Sequence, residues 1–188
     1  MKYILAAIFF LLTTAMSCKK TNTANEDQLT AATQIGANTM GCYVNGKAWL
    51  ADTKDNGSIP RLKAIGVDYL SNTELIFTFY RDRIPDDQAI YIYIKDFNGS
   101  GLYNMNQTSR IRGVPGSNGP LNSYLNFSDD NAKKEYVTNE NYTGTVNITY
   151  YNVSNRIISG TFQFKAQNYD RSADSINVSD GRFDCKIN

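Results

Sequence analysis

The chain has 188 residues, with 19 basic and 18 acidic side chains and a formal net charge of +1. This balance offers no basic stripe to the phosphate backbone of a nucleic acid. The sequence contains no histidine, which excludes Ser-His-Asp and Cys-His nucleophilic sites and zinc sites with histidine ligands. We therefore predict no nucleic-acid partner, no bound metal and no cofactor.

The first segment has the features of a secretion signal. Lys2 precedes the apolar run Tyr3 to Leu12, which at about ten residues is half the length that a membrane-spanning helix needs. The run leads into Ala15-Met16-Ser17-Cys18, which resembles the lipobox of bacterial lipoproteins. The pattern predicts that residues 1–17 are a signal peptide and that Cys18 carries a diacylglycerol anchor. Ordinary secretion with cleavage near Ser17 is the alternative.

Residues 18–39 form a polar segment after the lipobox. The segment is rich in Thr, Asn, Ala and Gln, so it cannot bury enough apolar surface to offset the entropy of ordering. We interpret it as the lipidated cysteine and a flexible tether to one domain, residues 40–188, whose length suits a single hydrophobic core. The lipid on Cys18 is then the only link to the membrane that the sequence offers.

The residues after Cys18 also bear on the location of the domain. Lys19 and Lys20 stand where surface-exported lipoproteins of Bacteroidetes-type bacteria carry acidic residues, and a basic pair repels a cationic receptor groove. We expect an outer-membrane lipoprotein of the cell envelope that faces the periplasm rather than the cell exterior.

Two further cysteines lie at the ends of the predicted domain. Cys42 is in the first predicted strand and Cys185 in the last, and export would place both in a compartment that permits disulfides. A bridge between them would close nearly the whole domain in one loop. Two separate buried thiols are the alternative.

Short apolar runs of period two, separated by Gly, Asn, Asp and Pro, predict strands throughout the domain. Asn45-Gly46 lies between two such runs and predicts a hairpin, because a type I′ turn needs positive φ at both central residues. Residues 104–122 are rich in Gly and Pro and predict a long loop. Runs at 145–151, 157–167 and 175–187 predict an antiparallel meander. About ten strands with short connections indicate an all-β domain, either an antiparallel β-sandwich or an irregular barrel.

One predicted strand is apolar on both faces. Isoleucines at positions 90, 92 and 94 alternate with Tyr91 and Tyr93, as in a central strand that is covered on both sides. We favour this packing. The alternative is that Tyr91 and Tyr93 form an exposed aromatic face for a sugar or a peptide.

The C-terminal third carries a string of motifs, Gly144-Thr145-Val146-Asn147-Ile148-Thr149, Ile158-Ser159-Gly160-Thr161-Phe162-Gln163-Phe164-Lys165-Ala166 and Asp180-Gly181-Arg182-Phe183-Asp184. The string resembles an uncharacterised family of small lipoproteins from Bacteroidetes-type bacteria, and residues 44–49 and 99–103 are similar to it as well. The resemblance implies an envelope location and a β fold, and it supplies no catalytic residue. Structurally, the motifs predict inward-facing phenylalanines, and Gly160 and Gly181 would allow a bulge or a close backbone approach.

Carboxylates are the remaining route to hydrolysis, as in glycosidases. The candidates all fall in turn-like segments, where Asp is common for structural reasons: Asp82, Asp86, Asp87, Asp129 and Asp130. A calcium ion on Asp129, Asn131 and Glu135 would lack the glycine of a calcium-binding loop.

Asp174-Ser175-Ile176 is similar to the Asp-Ser/Thr-apolar acceptor of O-glycosylation in Bacteroidetes-type bacteria. Ser175 is therefore a candidate glycosylation site, and a plain turn-to-strand junction is the alternative. Taken together, the residues favour a lipid-anchored, non-enzymatic binding or structural module whose ligand is a glycan, a peptide or another envelope protein. The alternative is a small carboxylate-based hydrolase that acts on an envelope or environmental glycan.

Overall fold

The computed structural model describes residues 28–53, 63–83, 86–109, 120–170 and 172–188. Regular structure in these ranges consists of β-strands, which confirms the all-β prediction. Within the same ranges, no helix is long and apolar enough to cross a membrane. The strands in chain order are β1 (Thr39–Val44), β2 (Lys47–Leu50), β3 (Asp52–Thr53), β4 (Ile65–Ser71), β5 (Glu74–Arg83), β6 (Asp86–Ile94), β7 (Gly101–Met105), β8 (Tyr124–Asp129), β9 (Lys134–Val137), β10 (Gly144–Asn152), β11 (Ile157–Asn168) and β12 (Ser175–Lys186).

These strands belong to one continuous sheet that curls over on itself. The main path runs β2-β1-β12-β11-β9-β8-β6-β5-β3, while β10 and β7 extend from β11, and β4 pairs with β5. Pairing among the described strands is antiparallel apart from β3 with β5. The curl brings β5 against β12, where the rings of Phe77 and Phe183 lie 4.9 Å apart. The result is an incompletely closed barrel with two facing layers.

Local sequence patterns account for much of this path. Asn45 and Gly46 have φ of 48° and 79° and connect β1 to β2, as the hairpin prediction required. The predicted C-terminal meander is present as β10, β11 and β12. Gly181 allows the close approach expected of it, because a Cβ there would lie 2.6 Å from the Phe162 ring.

The core lies between the two layers. Phe162, Phe164 and Phe183 of the motif string are all buried there, which confirms their predicted inward orientation. Phe183 contacts both Phe77 and Phe79 of β5. Because these contacts join β12 to β5, the C-terminal motifs hold the two layers together.

The end of the segment predicted as a flexible tether is packed on the domain. Leu29 is buried, and Asp184 of β12, only 1% exposed, receives most of the hydrogen bonds that hold this segment. Thr33 Oγ1 donates to Asp184 at 2.5 Å, and the backbone N–H groups of residues 35–37 donate at 3.0, 2.8 and 3.1 Å. We call residues 28–38 the N-terminal strap. The folded part of the chain thus begins ahead of residue 40, whereas the predicted signal peptide and Cys18 lie outside the described residues.

The candidate disulfide is not formed. Cys42 and Cys185 are both free, buried thiols. In the antiparallel β1–β12 ladder, Gly41 is opposite Arg182. Cys42 lies one residue from this pair towards one end of the ladder, and Cys185 lies three residues from it towards the other end. The two cysteines are therefore offset by four residues along the strands. Four residues of strand amount to roughly 13 Å, well beyond the limit of about 7 Å for bridged Cα atoms. Burial raises the pKa of both thiols.

Candidate functional site

A groove of about 780 Å³ lies on the face of β5, β6, β8 and β9 that points away from the core. Strand alternation creates this face. Where Phe79 and Ile90 pair on the core side, the next pair along the ladder, Tyr80 and Ala89, points outward. Tyr91 is outward as well and is opposite Asn126 of β8. Most of the groove is therefore built on strands of the sheet, and the turn between β8 and β9 adds Asp130 and Lys133.

Aromatic side chains form part of the groove. Tyr80 and Tyr91 meet edge to face with ring centroids 6.0 Å apart, and their hydroxyls lie 3.5 Å apart. Tyr91 is partly buried and lines the groove. Tyr93 is only 1% exposed and stacks on Tyr124 in a small second cluster with Val137. The structure therefore separates the two candidate tyrosines: Tyr93 is a packing residue, as favoured from the sequence, and Tyr91 remains available to a ligand.

Carboxylates surround these rings. Asp82 is directly opposite Asp87 in the β5–β6 ladder, and the N–H of Asp130 donates to the Asp87 carbonyl at 2.9 Å. Asp82, Asp87, Asp130 and Glu135 all line the groove. Sequence reasoning named the three aspartates as candidates for a carboxylate site, although each falls in a turn-like segment. It did not identify Glu135 as a groove acid, because nothing in the local sequence of Glu135 marks it. The side chain of Asp86 lies outside the described residues.

Two of these acids have a raised pKa. Burial raises the pKa of Asp87, and the negative charges of Asp130, Asp82 and Asp129 raise it further. Burial also raises the pKa of Glu135. This effect outweighs a hydrogen bond of 3.3 Å from Asn126 Nδ2, which lowers the pKa. Carboxylate oxygens accept hydrogen bonds from hydroxyl groups. The groove thus presents several acceptors to a hydroxylated ligand.

Asp129 does not belong to the same face. It accepts hydrogen bonds from Gln88 Nε2 and the Ala132 N–H, both at 2.9 Å, and it is paired in the ladder with Lys134, whereas Glu135 is paired with Ser128. Successive residues of a strand point to opposite faces. The side chains of Asp129 and Glu135, two of the three candidate calcium ligands, therefore point to opposite faces of the sheet. The described residues contain no cluster of three acidic or thiol ligands suited to a metal.

Ser175, the candidate glycosylation site, is exposed at the first position of β12. The preceding Asp174 accepts hydrogen bonds from Lys134 Nζ at 2.6 Å and from the Tyr136 hydroxyl at 2.9 Å. These bonds fix the strand start but leave the Ser175 hydroxyl outside the network that they form. Modification of Ser175 stays a prediction.

Comparison with known proteins gives a family and no function. Searches of curated proteins and of solved structures produced no match. A family model described as a domain of unknown function (DUF6252) matches residues 86–185. The matched stretch begins with β6 and reaches β12, so it contains Asp87, Asp130 and Glu135 as well as the motif string. Because the match spans just over half of the chain, this protein belongs to the DUF6252 family.

Proposed function

We propose that the domain is a non-catalytic glycan-binding module, anchored to the outer membrane by a lipid on Cys18 and facing the periplasm. The observation that carries the proposal is the outward groove, in which Tyr80 and Tyr91 stand beside carboxylates. Sugar rings have apolar faces that pack on aromatic rings, and their hydroxyls need the hydrogen-bond partners that carboxyl groups supply. Its volume of about 780 Å³ is enough for a short oligosaccharide.

The placement of the groove suits an anchored receptor. Lys134 lines the groove and contacts Asp174, just before β12 begins, whereas the strap is fixed to Asp184 near the end of β12. Ten residues of strand separate these two aspartates, roughly 30 Å. A chain that leads from Cys18 into the strap would hold the strap end of the barrel towards the membrane. The groove, at the other end, would then be open to ligands.

Replacing Tyr91 by alanine tests the binding proposal. We expect the affinity for a bound oligosaccharide, found by screening a glycan panel with the purified domain, to fall by about tenfold, because one stacking surface is worth about 1.4 kcal/mol. Isothermal titration calorimetry measures the change. Tyr43→Ala is the matched control, since Tyr43 is a partly buried tyrosine on β1 and does not line the groove. Equal affinity of the Tyr91→Ala variant and the control would contradict the proposal.

The second candidate is a carboxylate hydrolase, because Asp87 and Glu135 line one groove and both have a raised pKa. A raised pKa is what a general acid requires near neutral pH. Product analysis with the same glycan panel separates the two functions. A binding module gives no cleavage, while a hydrolase gives cleavage that Asp87→Asn or Glu135→Gln reduces by several orders of magnitude.

Replacing Cys18 by serine tests the anchor. Since the lipid is the only proposed membrane link, the Cys18→Ser protein should leave the membrane fraction and appear in the soluble fraction, as read by immunoblotting of fractionated cells. Ser17→Ala is the control, because alanine preserves the small residue before the cysteine. Retention of the Cys18→Ser protein on membranes after a high-salt wash would refute the anchor.

A further inference from the structure

A second cavity, of about 430 Å³, adjoins the groove on the outward face of the sheet. We call it the side cavity; its described lining includes the end of β9, the turn at residues 138–141 and residues 167–169. One row of paired residues connects the two hollows, because Asn126 is opposite Tyr91 of the groove and also opposite Val137 of the side cavity. Val137 in turn is opposite Gln167, which lines the side cavity as well. Paired residues share a face of a sheet, and the three strand spacings of this row amount to about 14 Å.

Tyr169 lies where the groove and the side cavity meet. Its backbone N–H donates to the carbonyl of Glu135, a groove residue, at 2.6 Å. Tyr169 itself lines the side cavity and is 41% exposed. Tyr124 of the groove and Val137 of the side cavity pack in one buried cluster. The two hollows therefore share a wall, and an exposed aromatic side chain stands next to that wall.

The side cavity has a preformed polar rim. Asn139 Oδ1 accepts hydrogen bonds from the N–H groups of Asn141 and Tyr142, both at 2.9 Å. Asn139 Nδ2 donates to Gln167 Oε1 at 3.1 Å, which ties the turn to β11. Asn141 is exposed at this rim, and an asparagine amide offers both a donor and an acceptor to sugar hydroxyls. Because the rim is already ordered, a ligand that binds there costs little conformational entropy.

The charges along this surface disfavour an acidic ligand. Four acidic and two basic side chains line the groove: Asp82, Asp87, Asp130, Glu135, Lys133 and Lys134. Lys134 also pairs with Asp174 at 2.6 Å. Among the described residues that line the side cavity, Glu140 is acidic and none is basic. A cleft with an excess of one charge attracts ligands of the opposite sign and repels those of the same sign, so a uronate or a sulfated chain is a poor fit.

We infer that the groove binds an uncharged, linear glycan chain that continues past Glu135 into the side cavity, where Tyr169 stacks on a later sugar unit. The inference rests on the proposed glycan-binding function and adds the charge class and the length of the ligand. Tyr91 and Tyr169 then contact different units of one chain. A chain that reaches both tyrosines binds more tightly than a short chain that fills the groove alone, because the second contact forms within a complex that already exists.

Calorimetry with chains of two lengths tests the inference on the purified protein. The probes are the disaccharides and hexasaccharides of laminarin, cellulose, amylose and mannan, with those of polygalacturonate as the acidic counterpart. We expect the tightest hexasaccharide to be uncharged and to bind about tenfold more tightly than its own disaccharide, the gain from one added stacking surface. Tightest binding by the acidic hexasaccharide, or equal affinity at both lengths, overturns the inference and leaves the groove a glycan site. If no chain of either length binds, the proposed function and the inference fail together.

Tyr169→Ala distinguishes the side cavity from the groove. We expect this variant to bind the hexasaccharide about tenfold more weakly and the disaccharide unchanged, whereas Tyr91→Ala weakens binding of both. Tyr69→Ala is the matched control, because Tyr69 is also 41% exposed and lines neither the groove nor the side cavity. If Tyr169→Ala leaves the hexasaccharide affinity unchanged while Tyr91→Ala lowers it, the extension is refuted and the proposed function stands. Equal losses for both lengths in Tyr169→Ala would place Tyr169 in the disaccharide site and refute the extension as well.

Discussion

The Asp184→Asn variant is expected to lose about 3 kcal/mol of unfolding free energy, since hydrogen bonds to a buried charged group contribute about 1.5–3 kcal/mol each and do not add fully. The Asp184 carboxylate accepts hydrogen bonds from Thr33, from residues 35–37 and from Ser159. An asparagine amide would turn an NH₂ group towards donors. Urea denaturation measures the loss. A change below 1 kcal/mol would contradict the role given to this carboxylate.

The same carboxylate predicts a pH dependence. Burial acts to raise the pKa of Asp184, but hydrogen bonds from Thr33, Ser159 and the N–H groups of Ala37 and Ile35 outweigh it and lower the pKa to about 2. A carboxyl group in the unfolded chain titrates near 3.9, so the stabilisation is complete above about pH 4 and is lost as the pH falls towards 2. Asp184→Asn should flatten the stability curve in that window. Asp180→Asn is the control, because Asp180 is an exposed aspartate of the same strand, whereas the hydrogen bonds from Thr33 and residues 35–37 of the strap end on Asp184.

Truncation of Phe162 or Phe164 to alanine should cost roughly 3–5 kcal/mol each, as for other buried aromatic residues. Both rings are buried and lie 6.4 Å apart in the core, and Phe162 also approaches Phe183 at 6.4 Å. Each truncation leaves a cavity next to the contacts that join the two layers. Chemical denaturation of the variants measures the effect.

Gln163→Ala is the matched control for the phenylalanine variants. Gln163 lies between them on β11 but is exposed on the opposite face, so its truncation should change stability by no more than about 0.5 kcal/mol. Similar losses at all three positions would mean that β11 has been given the wrong buried face.

Patterns within one strand or one turn allowed the local structure to be predicted. Asn45-Gly46 predicted its hairpin because the turn needs two residues that tolerate positive φ. The spacing of Phe162 and Phe164 predicted that both are buried, because side chains two residues apart share a face of a strand. The alternation of Ile90 and Tyr91 correctly indicated a central strand, because β6 lies between β5 and β8, but its outward face is covered only at Tyr93 and is open to the groove at Tyr91.

Strand neighbours could not be predicted in the same way. Cys42 and Cys185 do lie on adjacent strands, but the register places them too far apart to bond, and register depends on the whole ladder rather than on either segment. Asp82 and Asp130 were candidate carboxylates in separate turn-like segments, and they line one groove only because β5, β6 and β8 pair side by side.

The sequence alone determined the strand periodicity, the C-terminal meander and the inward phenylalanines, because each follows from residues close together along the chain. Only the tertiary structure decided the packing of the strap, since Thr33 gains its partner Asp184 from 151 residues away. A polar segment carries no apolar pattern that would reveal such packing. Most of the hydrogen bonds that hold the strap end on one buried carboxylate, and a carboxylate acquires that role only when the fold removes it from water and surrounds it with donors.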